Sequence, residues 1–153
     1  MGALERTAEI EGIAEEVDQG SLKVLLVDDH ASVRTTTAAL LRDLGHSVDE
    51  AVDGREAVSL LEKDPGGFDL LVTDYAMPLM SGTELIDRAR QLRPSLPALI
   101  ITGYADAQSI SRRPDDVLVL GKPFSLEQMR AGIAAVSPPP AGEPLVQPLA
   151  AQA

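Results

Sequence analysis

Leu70-Leu71-Val72-Thr73-Asp74-Tyr75-Ala76-Met77-Pro78-Leu79-Met80-Ser81-Gly82 decides how this chain is read. An apolar, β-favouring run carries one carboxylate, Asp74, to the point where a strand gives way to a proline-containing loop. Open α/β sheets place their chemistry at such carboxyl ends of strands. An aspartate there can equally form an Asx turn or cap a helix, so Asp74 becomes a reactive group only if other strand ends supply partners for it.

Working outward, the chain repeats one pattern. Leu22, Val24, Leu25, Leu26 and Val27 make a near-continuous apolar strand over Ser21 to Val27, as a strand buried on both faces requires, and it ends in Asp28-Asp29. Ser32 to Leu44 reads as a helix from the spacing of Val33, Leu40, Leu41 and Leu44, with Gly45 as its stop. Ser47 to Val52 is a second strand. Asp53-Gly54 opens a helix bearing Ala57, Val58, Leu60 and Leu61, closed by Asp64-Pro65-Gly66-Gly67. Phe68 to Thr73 is the third strand, and Gly82 to Leu92 the third helix, with Leu85, Ile86, Ala89 and Leu92 on one face. Ala98 to Thr102 is a fourth strand.

Between Gly103 and Asp116 the pattern weakens: Ala105 to Ser111 suffices for barely two turns of helix, and Arg112 to Asp116 is polar loop. Val117 to Leu120 is a short fifth strand. Gly121-Lys122-Pro123-Phe124 turns the chain, and Ser125 caps a last helix with Glu127 nearby and Leu126, Met129, Ile133 and Val136 directed inward.

Five β–α units imply a flavodoxin-like (βα)5 doubly wound parallel sheet of strand order 2-1-3-4-5. In that order Asp28, Asp29 and Asp74 converge at one carboxyl edge, and Thr102 and Lys122 approach from the other side. The expected domain spans residues 21–137. Residues 1–20 hold six acids against one Arg, with Leu4, Ile10, Ile13 and Val17 loosely on one helical face: either a solvated acidic extension or a short arm for a partner or a homodimer. Residues 138–153, rich in Pro and Ala, read as a disordered tail.

Composition narrows the chemistry. A formal net charge of -11 over 153 residues argues against binding nucleic acid, which needs clustered Lys and Arg. Without cysteine there is no disulfide or thiolate, and carboxylates with two His favour hard, oxygen-seeking cations. No stretch approaches the roughly 20 apolar residues of a membrane helix, and no leader is evident, so a cytoplasmic protein without membrane contact is expected. Three carboxylates in one cleft resist joint ionisation unless a cation sits among them, which is the shape of a magnesium site. Lys122 adds a point charge and Thr102 a hydroxyl donor. A nucleophilic carboxylate, a divalent metal, a cation and a donor are the parts that phosphoryl transfer uses.

Taken together, these residues resemble the receiver domain of two-component response regulators, single-domain or hybrid-kinase type. The resemblance rests on Val27-Asp28-Asp29, Asp74-Tyr75-Ala76-Met77-Pro78 with Gly82, Ile101-Thr102-Gly103 and Lys122-Pro123-Phe124, over about residues 22 to 136. It implies that Asp74 takes a phosphoryl group from a phosphohistidine of a sensor histidine kinase or histidine phosphotransfer protein. It further implies that Mg2+ is held by Asp29 directly, by Asp28 mainly through water, by Asp74 and by the backbone carbonyl of Ala76. Thr102 and Lys122 would then hold the phosphoryl group, and the bond to Pro123 would be cis.

The chain departs from that family three residues before the lysine, where Tyr or Phe is usual and Val119 stands instead. Tyr104, with the segment that follows it, becomes the candidate carrier of the switch that alters binding of a downstream partner. Nothing after Ser137 is expected to fold as an output domain. The family reading makes the chain a signalling phosphoacceptor that assists its own phosphotransfer and dephosphorylation, not an enzyme acting on another substrate. Two other readings use similar parts: a binding or dimerisation module independent of phosphorylation, and a Mg2+-dependent phosphohydrolase with an aspartyl-phosphate intermediate. The haloacid dehalogenase type of the latter places its nucleophile on the first strand in Asp-x-Asp, unlike the adjacent pair here.

Overall fold

The computed structural model describes residues 20–103 and 114–136. The expectations for the acidic arm, for Ala105 to Ser111, for Tyr104 and for the tail lie outside the described residues. Within them the chain runs β1 (Lys23–Val27), α1 (Ala31–Asp43), β2 (Ser47–Ala51), α2 (Gly54–Lys63), β3 (Leu70–Asp74), α3 (Gly82–Leu92), β4 (Ala98–Gly103), β5 (Leu118–Lys122) and α4 (Leu126–Val136). The five strands are parallel in the order β2-β1-β3-β4-β5, the doubly wound flavodoxin-like sheet that the repeating pattern predicts.

Alternation along the strands divides the core in two. Leu25, Val27, Leu71 and Ile100 point to the face covered by α2 and α3, where they meet Ala57, Leu61, Leu85, Ile86 and Ala89. Val24, Leu26, Leu70, Val72, Leu99 and Ile101 point to the other face, under Ala38 and Leu41 of α1 and Met129 and Ile133 of α4. Strands covered on both faces need no polar side, which is why β1, β3 and β4 read as continuous apolar runs.

Several boundaries and inward residues differ from expectation. β3 begins two residues later than Phe68 and includes Asp74; β5 begins at Leu118 and extends to Lys122. In both, backbone pairing continues past the last apolar side chain: Asp74 pairs with Ile101 and Lys122 with Gly103. α1 buries Thr37, Ala38 and Leu41, while Val33, Leu40 and Leu44 are only half-buried. Leu126 does not face the core but is exposed. It stands in the first turn of α4, where the cap fixes the chain: Ser125 Oγ accepts from Gln128 N (3.0 Å), and Gln128 Oε1 accepts from Ser125 N (2.8 Å). Gln128 is the capping partner, and Glu127 lies in the first turn as expected.

Candidate functional site

Strand register brings the acids together. Val27 lies opposite Thr73, so the next residues, Asp28 and Asp74, emerge side by side from two central strands. Both are buried, as is Thr102 at the end of β4. Asp74 Oδ1 accepts the backbone N–H of Tyr75 at 3.0 Å and a long hydrogen bond from Lys122 Nζ at 3.5 Å. Lys122 Nζ also stands 3.8 Å from Asp28 Oδ2. Lys122 is the last residue of β5, and the peptide bond that follows it, Lys122–Pro123, is cis.

Beyond β1, Asp28 Oδ1 accepts the backbone N–H of His30 at 2.9 Å, an Asx turn that starts α1. Arg34 Nη1 donates to the Asp28 carbonyl at 2.8 Å and its Nε to Glu50 Oε1 at 3.2 Å, tying the turn to α1 and β2. Asp29 stands at the cleft mouth with a quarter of its side chain exposed.

The loop after β3 is held by close backbone approach. Gly82 N donates to Tyr75 O at 2.8 Å, and a Cβ at Gly82 would lie 2.5 Å from the Asp74 carbonyl oxygen. Only glycine permits that contact. Ser81 and Glu84 form a capping box at the head of α3. Leu79 takes a left-handed backbone conformation, φ 71°, and its side chain is 81% exposed. Ala76 is exposed in this loop. Val119 sits half-buried against the core beneath α2 and α3.

Electrostatics follow from the crowding. Burial holds the Asp74 carboxyl above the ordinary carboxylate range, Asp28 pushes it the same way, and Lys122 and the Tyr75 N–H oppose them. Asp28 Oδ2 is buried with no hydrogen-bond donor, and Asp29 Oδ1 shares that condition. Buried carboxylate oxygens without donors are costly unless a cation satisfies them. Ligand atoms of Asp28, Asp29, His30 and Asp74 lie within 4.8 Å of one another. This donor set fits a divalent ion, with the three carboxylates as the oxygens a magnesium ion takes.

The cleft therefore gathers Asp28, Asp29, Asp74 and Lys122, with Thr102 one residue past the β4 partner of Asp74. Sequence reasoning missed His30 and Arg34. His30 had one available signal, its place directly after the acidic pair; Arg34 had none, being one more polar residue of the first helix.

Known proteins give the same outline. The family model for the response regulator receiver domain matches residues 24–134. The response regulator receiver protein CpdR of Brucella abortus is 36% identical over 109 residues, 70% of this chain and 89% of that protein. The sensor kinase CckA of the same organism is 37% identical over 112 residues, 72% of this chain but 12% of the kinase. The chain thus spans a small part of one relative and most of the other. A receiver domain of a sensor histidine kinase from Pseudomonas aeruginosa PAO1, solved with a magnesium ion in its active-site cleft, superposes with a TM-score of 0.67. It covers 76% of this chain and 98% of that one at 24% identity, a likeness of fold.

Proposed function

The chain belongs to the response regulator receiver domain family of two-component signalling, and from that membership we propose that Asp74 is its phosphoacceptor. The donor is a phosphohistidine on a sensor histidine kinase or histidine phosphotransfer protein. The observation that carries this reading is the pairing of a buried, hydrogen-bonded carboxylate with Lys122 and two further acids at one sheet edge.

Each side chain has a task in the transfer. An Asp74 carboxylate oxygen attacks phosphorus in line with the departing imidazole nitrogen. The P–N bonding pair goes to that nitrogen, whose ring leaves neutral because its other nitrogen carries a proton, and an acyl phosphate remains on Asp74. Lys122, already within reach of Asp74, neutralises one phosphoryl oxygen, and the Thr102 hydroxyl donates to another. The Tyr75 N–H orients the attacking carboxylate. Asp28, Asp29, Asp74 and the Ala76 carbonyl would hold Mg2+, which supplies positive charge to the phosphoryl oxygens.

The partner reading has support in a groove beside the cleft. Val33, Thr37 and Leu40 of α1 face Lys122, Pro123 and Phe124 across an apolar trough that opens at the Lys122 end of the site. A helix carrying the phosphohistidine, laid in that trough, would present its imidazole to Asp74. Phosphorylation then changes partner binding through β5 and the segment around Tyr104, with Val119 in the place of an aromatic. No helix among the described residues is long and apolar enough to cross a membrane.

Intact-protein mass measured with acetyl phosphate or beryllofluoride, with and without Mg2+, tests the proposal on wild type and Asp74→Asn. A magnesium-dependent adduct on wild type alone is expected. With fold and metal binding intact, an adduct on neither protein would leave a binding module independent of phosphorylation; turnover of a generic phosphate ester would make the chain a phosphohydrolase.

A further inference from the structure

An all-oxygen magnesium site has no use for a nitrogen donor, yet one stands in this cleft. His30 Nδ1 lies 3.4 Å from Asp29 Oδ1 and 3.6 Å from Asp28 Oδ1. Neither distance is a good hydrogen bond. Both suit donors that share one cation: with metal–ligand bonds of about 2.1 Å, neighbouring ligands sit about 3.0 Å apart in an octahedron and about 3.4 Å apart in a tetrahedron.

The backbone fixes this residue at the cleft mouth. His30 is the N-cap of α1 at φ -96° and ψ 109°, its own N–H is donated to Asp28 Oδ1, and its side chain makes no capping hydrogen bond. Its carbonyl accepts Arg34 N at 2.8 Å, so main-chain bonds on both sides hold the residue. The imidazole is 64% exposed and can meet an ion at the cleft mouth with little desolvation. A second observation points to a ligand here: Asp28 is fully buried and its Oδ2, 3.8 Å from Lys122 Nζ, has no hydrogen-bond donor, and the Asp29 Oδ1 that stands 3.4 Å from His30 Nδ1 has none either.

We propose that His30 is a nitrogen ligand for the cation of this cleft, so that the site takes first-row transition ions such as Mn2+, Co2+ and Zn2+ in preference to Mg2+. The inference deepens the metal reading above and rests on it. Carboxylate and water suit magnesium, whereas imidazole raises affinity selectively for the borderline ions. Asp28, Asp29 and Asp74 then serve either class of ion, and His30 sets the choice between them.

The chain favours a clean test. It has two histidines and no cysteine. The other histidine, His46, accepts the Leu22 N–H on its Nδ1 at the opposite end of the sheet. The full chain, prepared without a polyhistidine tag, would be titrated calorimetrically with Mg2+, Mn2+, Co2+ and Zn2+ as wild type and as His30→Ala and His30→Gln. Pulsed electron paramagnetic resonance of the Mn2+ form would report nitrogen coupling.

The expected result is a loss of about tenfold or more in Co2+ and Zn2+ affinity in both variants, a change below about twofold for Mg2+, and nitrogen coupling in wild type alone. Wild type without nitrogen coupling would overturn the proposal, as would variants with unaltered Co2+ and Zn2+ affinity. Equal losses for magnesium and transition ions would overturn it too, since His30 would then act on the shape of the turn. Failure of the phosphoacceptor reading shows separately, as absence of a Mg2+-dependent beryllofluoride adduct on wild type.

Discussion

β3 and β5 carry the two sides of the cleft, Asp74 and Lys122, on unlike mounts. β3 lies between β1 and β4 with all five residues buried; among the described residues β5 has one neighbouring strand, and none of its own residues is buried. The contrast places the Asp74 carboxylate, the proposed acceptor, on the strand with every residue buried and the Lys122 charge on an edge, at the end of a four-carbon side chain. A phosphoryl group added between them would leave Asp74 where it is and draw Lys122 and the strand beneath it. On the proposed phosphoacceptor reading Val119, half-buried near the start of β5, would move with that strand, and the edge would transmit the event without a large ring to rotate.

The largest expected effect tests this difference in constraint. Leu71→Ala removes a fully buried side chain from β3 and is expected to cost about 2–5 kcal/mol, whereas Leu118→Ala, at 39% exposure on β5, should cost less than about 1 kcal/mol. Urea denaturation of the two variants beside wild type measures both. Equal losses would mean that β5 is as firmly held as β3, and that the edge is not the yielding side of the cleft.

A second prediction concerns the acid itself. Burial, and then Asp28, raises the Asp74 carboxyl above its unfolded value. The native state therefore binds this proton more tightly than the unfolded state does. Stability falls as pH rises from the ordinary carboxylate range through the raised native value, and above that the full cost is present. Asp74→Asn cannot ionise. In EDTA at pH 8 it should be more stable than wild type, on the order of 1 kcal/mol, and the difference should shrink toward pH 4. Saturating Mg2+ should then raise the Tm of wild type more than that of the variant. Matching melting curves at pH 8 would mean that the other groups of the cleft already neutralise the charge.

The same contrast explains what the sequence could disclose. Strands buried on both faces must be apolar throughout, so Val24 to Val27, Leu70 to Val72 and Ala98 to Ile101 stand out, and a polar residue just beyond such a run is conspicuous. Asp28, Asp74 and Thr102 were legible for that reason, and Lys122 from its place at the end of the fifth strand before Pro123-Phe124. Strand ends were misplaced by one or two residues because pairing is a backbone property and continues under Asp74 and Lys122, where hydropathy has already changed. His30 lacks that contrast, since a polar residue at the head of a helix is ordinary. Nothing in its identity marks Leu79 for a positive φ; the β3–α3 connection imposes it, and an L-residue held there is strained by roughly 1 kcal/mol.

The smallest expected effect lies where the core meets the edge. Arg90 of α3 donates from Nη1 and Nη2 to Asp116 Oδ1 and Oδ2 at 3.0 and 3.1 Å, and from Nε and Nη2 to the Leu96 carbonyl at 3.0 and 2.9 Å. This clamp joins the segment leading into β5 to the constrained side of the molecule. Hydrogen bonding from Arg90 holds the Asp116 carboxyl below its usual range. Its contribution is therefore present above the unfolded value and lost as pH falls through the lowered native value. Asp116 is largely exposed, so Asp116→Asn should cost well under about 1 kcal/mol at pH 7, less in high salt and nothing near pH 2. Arg90→Ala should cost more than Asp116→Asn, because it also takes both side-chain donors from the Leu96 carbonyl. Chemical denaturation at pH 7 of the two variants separates the contributions. If Asp116→Asn cost as much as Arg90→Ala, the tie to the segment before β5 would carry the whole contribution of Arg90; the expected inequality means that Arg90 acts mainly on the Leu96 carbonyl ahead of β4, and that its hold on the edge is an exposed pair that salt and acid weaken.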